Sequence, residues 1–322
     1  MNDDASVALG VDLGGTKASG VILRADGTVA RQLRRAHDST GQEALDVAID
    51  VVRELLSDPA SVGIERVGLA VAGLVDRHSG RIVRGALLGL DDTPLGLRIE
   101  SLIGLPVFVE NDADATLAGV LHDPSISPDA DDVSVLVALG TGVGGAVAVG
   151  DHVLRGVAGF AGELGHVPIE EPGRHPCPCG SSGCVELFAS GTAVTRIARA
   201  TTSFRTTEAV LAAAESGDRT ARTLLTDAGT ALGHALVPLV NALDPRTVFL
   251  SGGFGHAAAT YLVPAMEARL RRQQSFPESR SLPRIVLDPI GPMAAAIGAA
   301  IIARDLPLHP ARTSQFYSAR TH

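Results

Sequence analysis

The chain has 322 residues, of which 45% are hydrophobic, and a formal net charge of −9. This length suggests two domains, and the acidic balance without a lysine or arginine run argues against a nucleic-acid partner. No basic leader, secretory core or stretch of membrane-spanning length stands out, so we expect a cytoplasmic protein that contacts no membrane.

The amino-terminal stretch has the pattern of strands joined by a tight glycine turn. Apolar runs over 7–12 and 19–23 flank the sequence GGTK at 14–17, and a third strand is predicted over 28–32. A strand rather than a helix follows the turn, and the GxxxxGK[ST] spacing is missing. The stretch is therefore not a P-loop.

Helices and strands alternate through the rest of the first half. Helices are predicted over 43–56, 95–103 and 113–121, and strands over 66–75, 81–83 and 106–109. The loop 122–132, dense in proline and acidic residues, has the composition of a domain boundary.

Three polar residues, Glu110, Asn111 and Asp112, follow a buried strand where a helix is expected to begin. An aspartate there is a candidate helix N-cap and needs no further role. Asp112 is also a candidate general base, because in phosphoryl transfer one carboxylate orients the nucleophile. Asn111 has both a donor and an acceptor, which suits a sugar hydroxyl.

The opening pattern returns about 125 residues later. Strands are predicted over 133–139, 144–149 and 152–155, with the turn Gly140-Thr141-Gly142 between the first two. The repetition indicates a duplicated domain. Further predicted helices are 192–200, 207–215, 218–242, 260–273 and 294–304, and further strands are 247–251 and 285–288. Helices that alternate with strands predict an α/β fold.

The two glycine and threonine turns are candidate phosphate sites. Their backbone N–H groups would form concave anion sites, and the hydroxyls of Thr16 and Thr141 would add donors. Lys17 would add positive charge, and Asp12 at a strand end could order a hydrated Mg²⁺. The alternative is that both turns are tight hairpins, in which glycine serves conformation alone.

Two further glycine-containing stretches concern the binding of a nucleotide. The sequence GTGVGG at 140–145 matches the dinucleotide fingerprint GxGxxG, but a β-rich stretch follows it instead of a helix, which argues against an NAD-dependent dehydrogenase. Gly252 and Gly253 close a strand before a helix, where the backbone could approach an adenosine, although a strand-to-helix turn needs glycine as well.

All three cysteines lie in the segment 161–186. Cys177, Cys179 and Cys184 fall within eight residues, and with His166 they make a set of four ligands for one tetrahedral, structural zinc. Such an ion would hold two flanking carboxylates, Glu163 and Glu186, in place. The alternative is three unconnected thiols beside an ordinary loop histidine.

These motifs occur together in one known family. The chain resembles the ROK family of bacterial sugar kinases and sugar-responsive repressors over about 7–304, and within it the bacterial ATP-dependent glucokinases. The sequences that carry the resemblance are DLGGTK at 12–17, END at 110–112, LGTGVGG at 139–145, AGELGH at 161–166 and CPCGSSGCVE at 177–186.

The resemblance implies the actin-like ATPase fold, in which two related α/β domains flank a cleft, and phosphorylation of a hexose at O6 with ATP and Mg²⁺. It implies Asp112 as the general base and zinc held by His166, Cys177, Cys179 and Cys184. The implied sugar contacts are Gly73, Asn111, Asp112, Glu163, His166 and Glu186. The implied nucleotide contacts are Asp12, Gly14, Gly15, Thr16, Lys17, Thr141, Gly142 and Gly253.

The expected domains are a smaller one over 1–121, onto which a final helix near 293–305 packs back, and a larger one over 122–292 that carries the zinc insertion 161–186. Family members are commonly homodimers or homotetramers. The alternatives to a glucokinase are an N-acetylhexosamine, N-acylmannosamine or fructose kinase, and a sugar-sensing protein without catalysis. A DNA-binding repressor is not expected, since only six residues precede Val7 and the chain is acidic.

Two departures from the family pattern stand out. The family usually has a Pro-Asn-Leu stretch whose asparagine reaches sugar hydroxyls, whereas this chain has Ala86-Leu87-Leu88, which puts glucose in doubt more than it does kinase chemistry. Asp114 stands where the family often has asparagine, and its place on a predicted helix suggests a modest surface change.

Overall fold

The computed structural model describes residues 6–37, 40–85, 87–276 and 278–306. Its strands are β1 Ala8–Leu13, β2 Lys17–Leu23, β3 Val29–Ala36, β4 Val67–Val71, β5 Leu74–Asp76, β6 Arg81–Arg84, β7 Val107–Asn111, β8 Val133–Leu139, β9 Val143–Val149, β10 His152–Leu154, β11 Thr247–Ser251 and β12 Arg284–Leu287. Its helices are α1 Gln42–Leu56, α2 Leu95–Ile103, α3 Asp112–Leu121, α4 Glu186–Ala189, α5 Gly191–Thr201, α6 Thr207–Glu215, α7 Arg219–Leu243, α8 Gly253–Gln273 and α9 Ala294–Asp305.

The described residues divide into two compact units. Unit 1 holds the residues up to Ser127, the segment Arg155–Ala161 and the residues from Pro292 onward. Unit 2 holds Pro128–Leu154 and Gly162–Gly291. The short segment Arg155–Ala161 thus packs with unit 1, although strand β10 before it and residue Gly162 after it belong to unit 2.

Unit 1 is built on a five-stranded sheet of order β3-β2-β1-β4-β7. Strand β1 pairs antiparallel with β2 and parallel with β4, which pairs parallel with β7. Helix α1 buries apolar residues at helical spacing against one face of this sheet, with Leu45, Ile49 and Val52 among them.

Helices α3 and α9 lie on the opposite face of this sheet from α1 and pack closely on each other. A Cβ atom at Gly68 of β4 would overlap the backbone of Ala299 in α9, and one at Gly298 of α9 would overlap the backbone oxygen of Ala115 in α3. These two positions need glycine because backbone meets backbone there. The dense α3–α9 layer therefore rests on small residues.

Unit 2 repeats the arrangement with a sheet of order β10-β9-β8-β11-β12. Strand β8 pairs antiparallel with β9 and parallel with β11, as β1 does with β2 and β4. The matching sheet orders confirm the prediction of a duplicated domain. Helices α7 and α8 carry much of the core beside the sheet, with Leu225, Leu232 and Leu262 fully or almost fully buried. By length and composition alone α7 could cross a membrane, but half of its most apolar window is buried inside the protein.

The strand predicted over 66–75 is in fact two strands. Strand β4 ends at Val71, and β5 begins at Leu74 and pairs with β6 in a separate two-stranded sheet. Gly73 breaks the run because its φ of 151° lies outside the range of a strand. The four-residue helix α4 was not predicted, since it is too short to show a helical period.

Candidate functional site

The GGTK turn of unit 1 joins β1 to β2 and lies at the surface. The Gly14 N–H donates to the Lys17 carbonyl at 3.0 Å, which closes the turn. Gly15 and Thr16 are exposed, although the Thr16 carbonyl accepts the backbone N–H of His37 at 2.9 Å. Burial, together with nearby Arg34, lowers the pKa of Lys17, while Asp12 acts in the opposite direction. The turn presents backbone donors, a hydroxyl and an ammonium group at one place.

Asp12 lies buried near the end of β1. Burial, and after it the charge of Asp112, raise the pKa of Asp12 to about 7, against the lowering effect of Lys17 and Arg34. The two carboxylates are thus close enough for one charge to disfavour the other. The structure brings together Asp12, Lys17 and Asp112, three residues that the sequence separates by up to a hundred positions.

Asn111 and Asp112 stand at the junction of β7 and α3. The helix N-cap is Asn111, whose Oδ1 accepts the N–H groups of Ala113 at 2.8 Å and Asp114 at 3.2 Å. Its Nδ2 donates to the carbonyl of Gly73 at 2.9 Å. The suggestion that Asp112 serves only as the N-cap is therefore wrong, because the neighbouring side chain already caps the helix.

Glu110 is buried at the end of β7, and its partner is a residue that sequence reasoning missed. Its Oε2 accepts a hydrogen bond from Arg155 Nε at 2.6 Å, and both side chains are at least four-fifths buried. A buried carboxylate in an apolar strand requires such a partner, so the need for a cation was visible in the sequence. Its identity was not, since 45 residues separate the two.

Asp114 contradicts the expectation of a surface position. It lies in the first turn of α3 and is only 3% exposed. The helix packs closely on α9, as the contacts of Gly119 with Ala294 of that helix show. Residues that would face solvent on a lone surface helix are therefore covered.

The glycine turn of unit 2 carries Thr141 and Gly142 between β8 and β9. Thr141 is exposed, and its carbonyl accepts the N–H of Thr192 in the first turn of α5 at 3.4 Å. Glu186 Oε2 accepts the N–H of Val143 at 2.9 Å. A Cβ on Gly142 would lie 2.5 Å from that same oxygen, so glycine leaves room for the carboxylate. Glu186 thus binds the backbone of the turn.

The junction of β11 and α8 is open. Gly252 has a φ of 84° and its α-carbon lies against the backbone of Leu139, while a Cβ at Gly253 would meet nothing within 4 Å. The amino end of the long helix α8 is therefore unobstructed beside Gly253, and a ligand could reach it there.

The four predicted zinc ligands converge. The donor atoms of His166, Cys177, Cys179 and Cys184 all lie within 4.8 Å of one another. Cys179 Sγ and Cys184 Sγ are 3.7 Å apart, and His166 Nδ1 lies 3.8 Å from Cys177 Sγ. Tetrahedral zinc with bonds of about 2.3 Å to sulfur and about 2.0 Å to nitrogen places such pairs about 3.8 and about 3.5 Å apart. The donor set and its spacing fit zinc.

The thiols of the cluster must lose their protons to bind a metal. Burial, with the hydrogen bonds of the two neighbouring thiols, raises the pKa of Cys184 to about 12. A thiol in this position becomes a thiolate only with compensating positive charge, which a bound metal provides. The structure also distinguishes the ring nitrogens of His166, because Nδ1 faces the sulfurs whereas Nε2 lies 3.9 Å from Glu163 Oε2.

Glu163 immediately precedes the short 3₁₀ helix that carries His166 and is half-buried. Burial raises its pKa, with a further contribution from Glu186 and an opposing one from His166. Glu163 therefore lies close to both His166 and Glu186.

The family model that describes the ROK family matches residues 8–306, which is nearly all of the chain. The chain belongs to the ROK family. It is 30% identical over 296 residues to a glucokinase of Halalkalibacterium halodurans, with 86% of this chain and 87% of the relative covered. It is 30% identical over 250 residues to an N-acetylmannosamine kinase of Escherichia coli, with 77% and 84% covered.

Solved ROK structures have the same architecture. A ROK family glucokinase from Streptomyces griseus, solved in complex with glucose and AMPPNP, superposes with a TM-score of 0.78 at 26% identity, over 92% of this chain and 99% of that one. The ROK chain described above therefore has the actin-like ATPase fold, with two related α/β units.

The departure from the ROK pattern after β6 falls partly outside the described residues, since Ala86 is not among them. Leu88 is fully buried, and Leu87 is 50% exposed. A Cβ on Gly15 would lie 4.0 Å from the Leu87 Cβ, so Leu87 stands next to the GGTK turn. An apolar side chain is thus presented to solvent beside a polar turn.

Proposed function

We propose that this ROK protein is an ATP-dependent hexose kinase, with glucose as the first sugar to test and O6 as the acceptor. The observation that carries the proposal is that Asp12 of unit 1 lies near both Asp112 and Lys17, so that carboxylates stand beside the GGTK turn. The relatives support it, since glucokinases are among them and one solved relative holds glucose with AMPPNP.

The nucleotide would be bound by backbone N–H groups and by charged side chains. The exposed donors of Gly15 and Thr16, and the ammonium of Lys17, suit phosphate oxygens. Asp12 would order the hydrated Mg²⁺ that neutralises the phosphates, and a nearby dication favours its ionised form. In unit 2 the corresponding groups are Thr141, Gly142 and Gly253, alongside the open amino end of α8.

Asp112 would act as the general base. Phosphoryl transfer needs the acceptor hydroxyl oriented and its proton received as the bond to phosphorus forms. Asn111 holds its amide between the α3 N–H groups and the Gly73 carbonyl, so the backbone on which Asp112 stands is fixed at both sides. The carboxylate needs no reorganisation before it accepts the proton.

The sugar would be bound by six residues, namely Gly73, Asn111, Asp112, Glu163, His166 and Glu186. Zinc on Cys177, Cys179, Cys184 and His166 would stabilise the loop that carries these acids. With Nδ1 of His166 directed at the sulfurs, Nε2 keeps its hydrogen for Glu163 or for a sugar hydroxyl.

The decisive experiment on the catalytic assignment is Asp112→Asn. We expect turnover with glucose and MgATP to fall by a factor of about 10² to 10⁴ while glucose affinity and folding are retained, because the amide keeps the shape but accepts no proton. Asp50→Asn, on the exposed surface of α1 in the same unit, is the matched control. Near-normal turnover of Asp112→Asn would remove Asp112 as the base.

The sugar is to be identified by a coupled ADP-release screen over glucose, mannose, fructose, N-acetylglucosamine and N-acetylmannosamine. The N-acetylmannosamine kinase relative and the apolar Leu87 both make the acetylated sugars a necessary part of the panel. Turnover of none of the five with MgATP would contradict the proposal of a hexose kinase.

A further inference from the structure

His37 contacts the backbone of the GGTK turn. It follows directly after β3, beyond the Lys17–Ala36 pair that ends the β2–β3 ladder, and only 8% of it is exposed. Its backbone N–H donates to the Thr16 carbonyl at 2.9 Å, and its ring Nε2 lies 3.1 Å from the Gly14 carbonyl. Two of the carbonyl groups in the turn are therefore held by one residue.

The contact with the Gly14 carbonyl shows which ring nitrogen of His37 carries the hydrogen. A backbone carbonyl oxygen only accepts hydrogen bonds, so Nε2 of His37 carries the hydrogen that is donated to Gly14. This contact is partly buried, and a carbonyl shielded from water without a partner costs more than an exposed one. The imidazole thus has a defined orientation against the turn.

The orientation of the carbonyls decides that of the neighbouring N–H groups. The structure contains no cis peptide among its described residues, and in a trans peptide the C=O and the following N–H point in opposite directions. Because the Gly14 and Thr16 carbonyls point at His37, the N–H groups of Gly15 and Lys17 point away from it. Among the described residues none accepts a backbone hydrogen bond from Gly15 N–H, and Gly15 is exposed.

We infer that His37 is the positioning residue of the phosphate-binding turn. It aligns the backbone N–H of Gly15 for the phosphates of a nucleotide without itself touching them. This role rests on the proposed function, since it presupposes that the turn binds phosphate. A motif search for DxGGTK does not find it, because His37 lies twenty residues beyond the motif and meets it only through the pairing of β2 with β3.

The test compares three substitutions of His37 by titration calorimetry with MgADP and Mg-AMPPNP. Glutamine places its amide nitrogen near the position of Nε2, whereas asparagine reaches only the position of Nδ1. We expect His37→Phe and His37→Asn to weaken nucleotide binding about five- to tenfold. We expect His37→Gln to stay within about twofold of the natural chain, and all three variants to keep their glucose affinity.

The outcomes separate this inference from the proposed function. If the natural chain binds neither nucleotide, the proposed function fails and the role of His37 fails with it. If the natural chain binds and His37→Phe binds equally well, only the assignment of His37 is overturned. Equal loss in the Gln and Asn variants, or a parallel loss of glucose affinity, would also overturn it, because a general disturbance of the fold would then explain the data.

Discussion

Replacing Asp12 by asparagine should stabilise this protein, although it removes a residue that we assign to the nucleotide site. The carboxyl is buried near Asp112, and its pKa is raised from 3.8 to about 7. The folded chain therefore holds the proton more tightly than the unfolded chain does. As a result, the free energy of unfolding falls as the pH rises from about 3.8 to about 7 and stays constant above that.

The pKa shift of Asp12 determines how much the free energy of unfolding changes. Three pKa units at about 1.4 kcal/mol each put the cost of ionising Asp12 in the folded state at about 4 kcal/mol near pH 8. Near pH 5 only about 2 kcal/mol of this cost applies, because the folded carboxyl is still protonated there. Asparagine has nearly the same shape and no charge, so Asp12→Asn should gain about 2 kcal/mol more at the higher pH.

The assay is urea unfolding near pH 5 and near pH 8, followed by circular dichroism since the chain has no tryptophan. Asp50→Asn, which changes an exposed carboxylate on α1, controls for the loss of one negative charge. A stability gain of Asp12→Asn that is equal at the two pH values would refute the reasoning, as would a loss near pH 8. Kinase activity should fall in the same variant, because the stabilised form has no carboxylate for the hydrated Mg²⁺.

Three further predictions concern the packing and the metal. Elemental analysis should find about one zinc per chain, and Cys184→Ser should lower the zinc content and the melting temperature together. Gly298→Ala should cost at least about 2 kcal/mol in chemical unfolding, because the new methyl group overlaps the Ala115 backbone and neither helix can yield cheaply. Removing one partner of the buried Glu110–Arg155 pair, as in Arg155→Met, should cost about 3 to 5 kcal/mol; the double variant with Glu110→Gln should cost less than the sum of the two single changes.

The two wrong predictions from the sequence both rest on a local pattern alone. A lone helix with the pattern of 113–121 predicts a surface position for Asp114, but α9 returns from the far end of the chain and packs on that helix, and Asp114 is buried. The continuous composition of 66–75 predicts one strand, whereas the φ of Gly73 divides it. In both cases a contact or a backbone angle overruled a local pattern that was otherwise sound.

The sequence by itself determined the features that short-range spacing controls. The strand–turn–strand repeat was visible because glycine and threonine between apolar runs specify a tight turn. The candidate metal ligands were visible because three cysteines within eight residues have few other uses. Only the tertiary structure decided which distant groups meet: Asp12 with Asp112, Glu110 with Arg155 and His37 with Gly14. The pairing order of the strands sets these contacts, and strand order depends on the burial of whole faces, which no short stretch of sequence encodes.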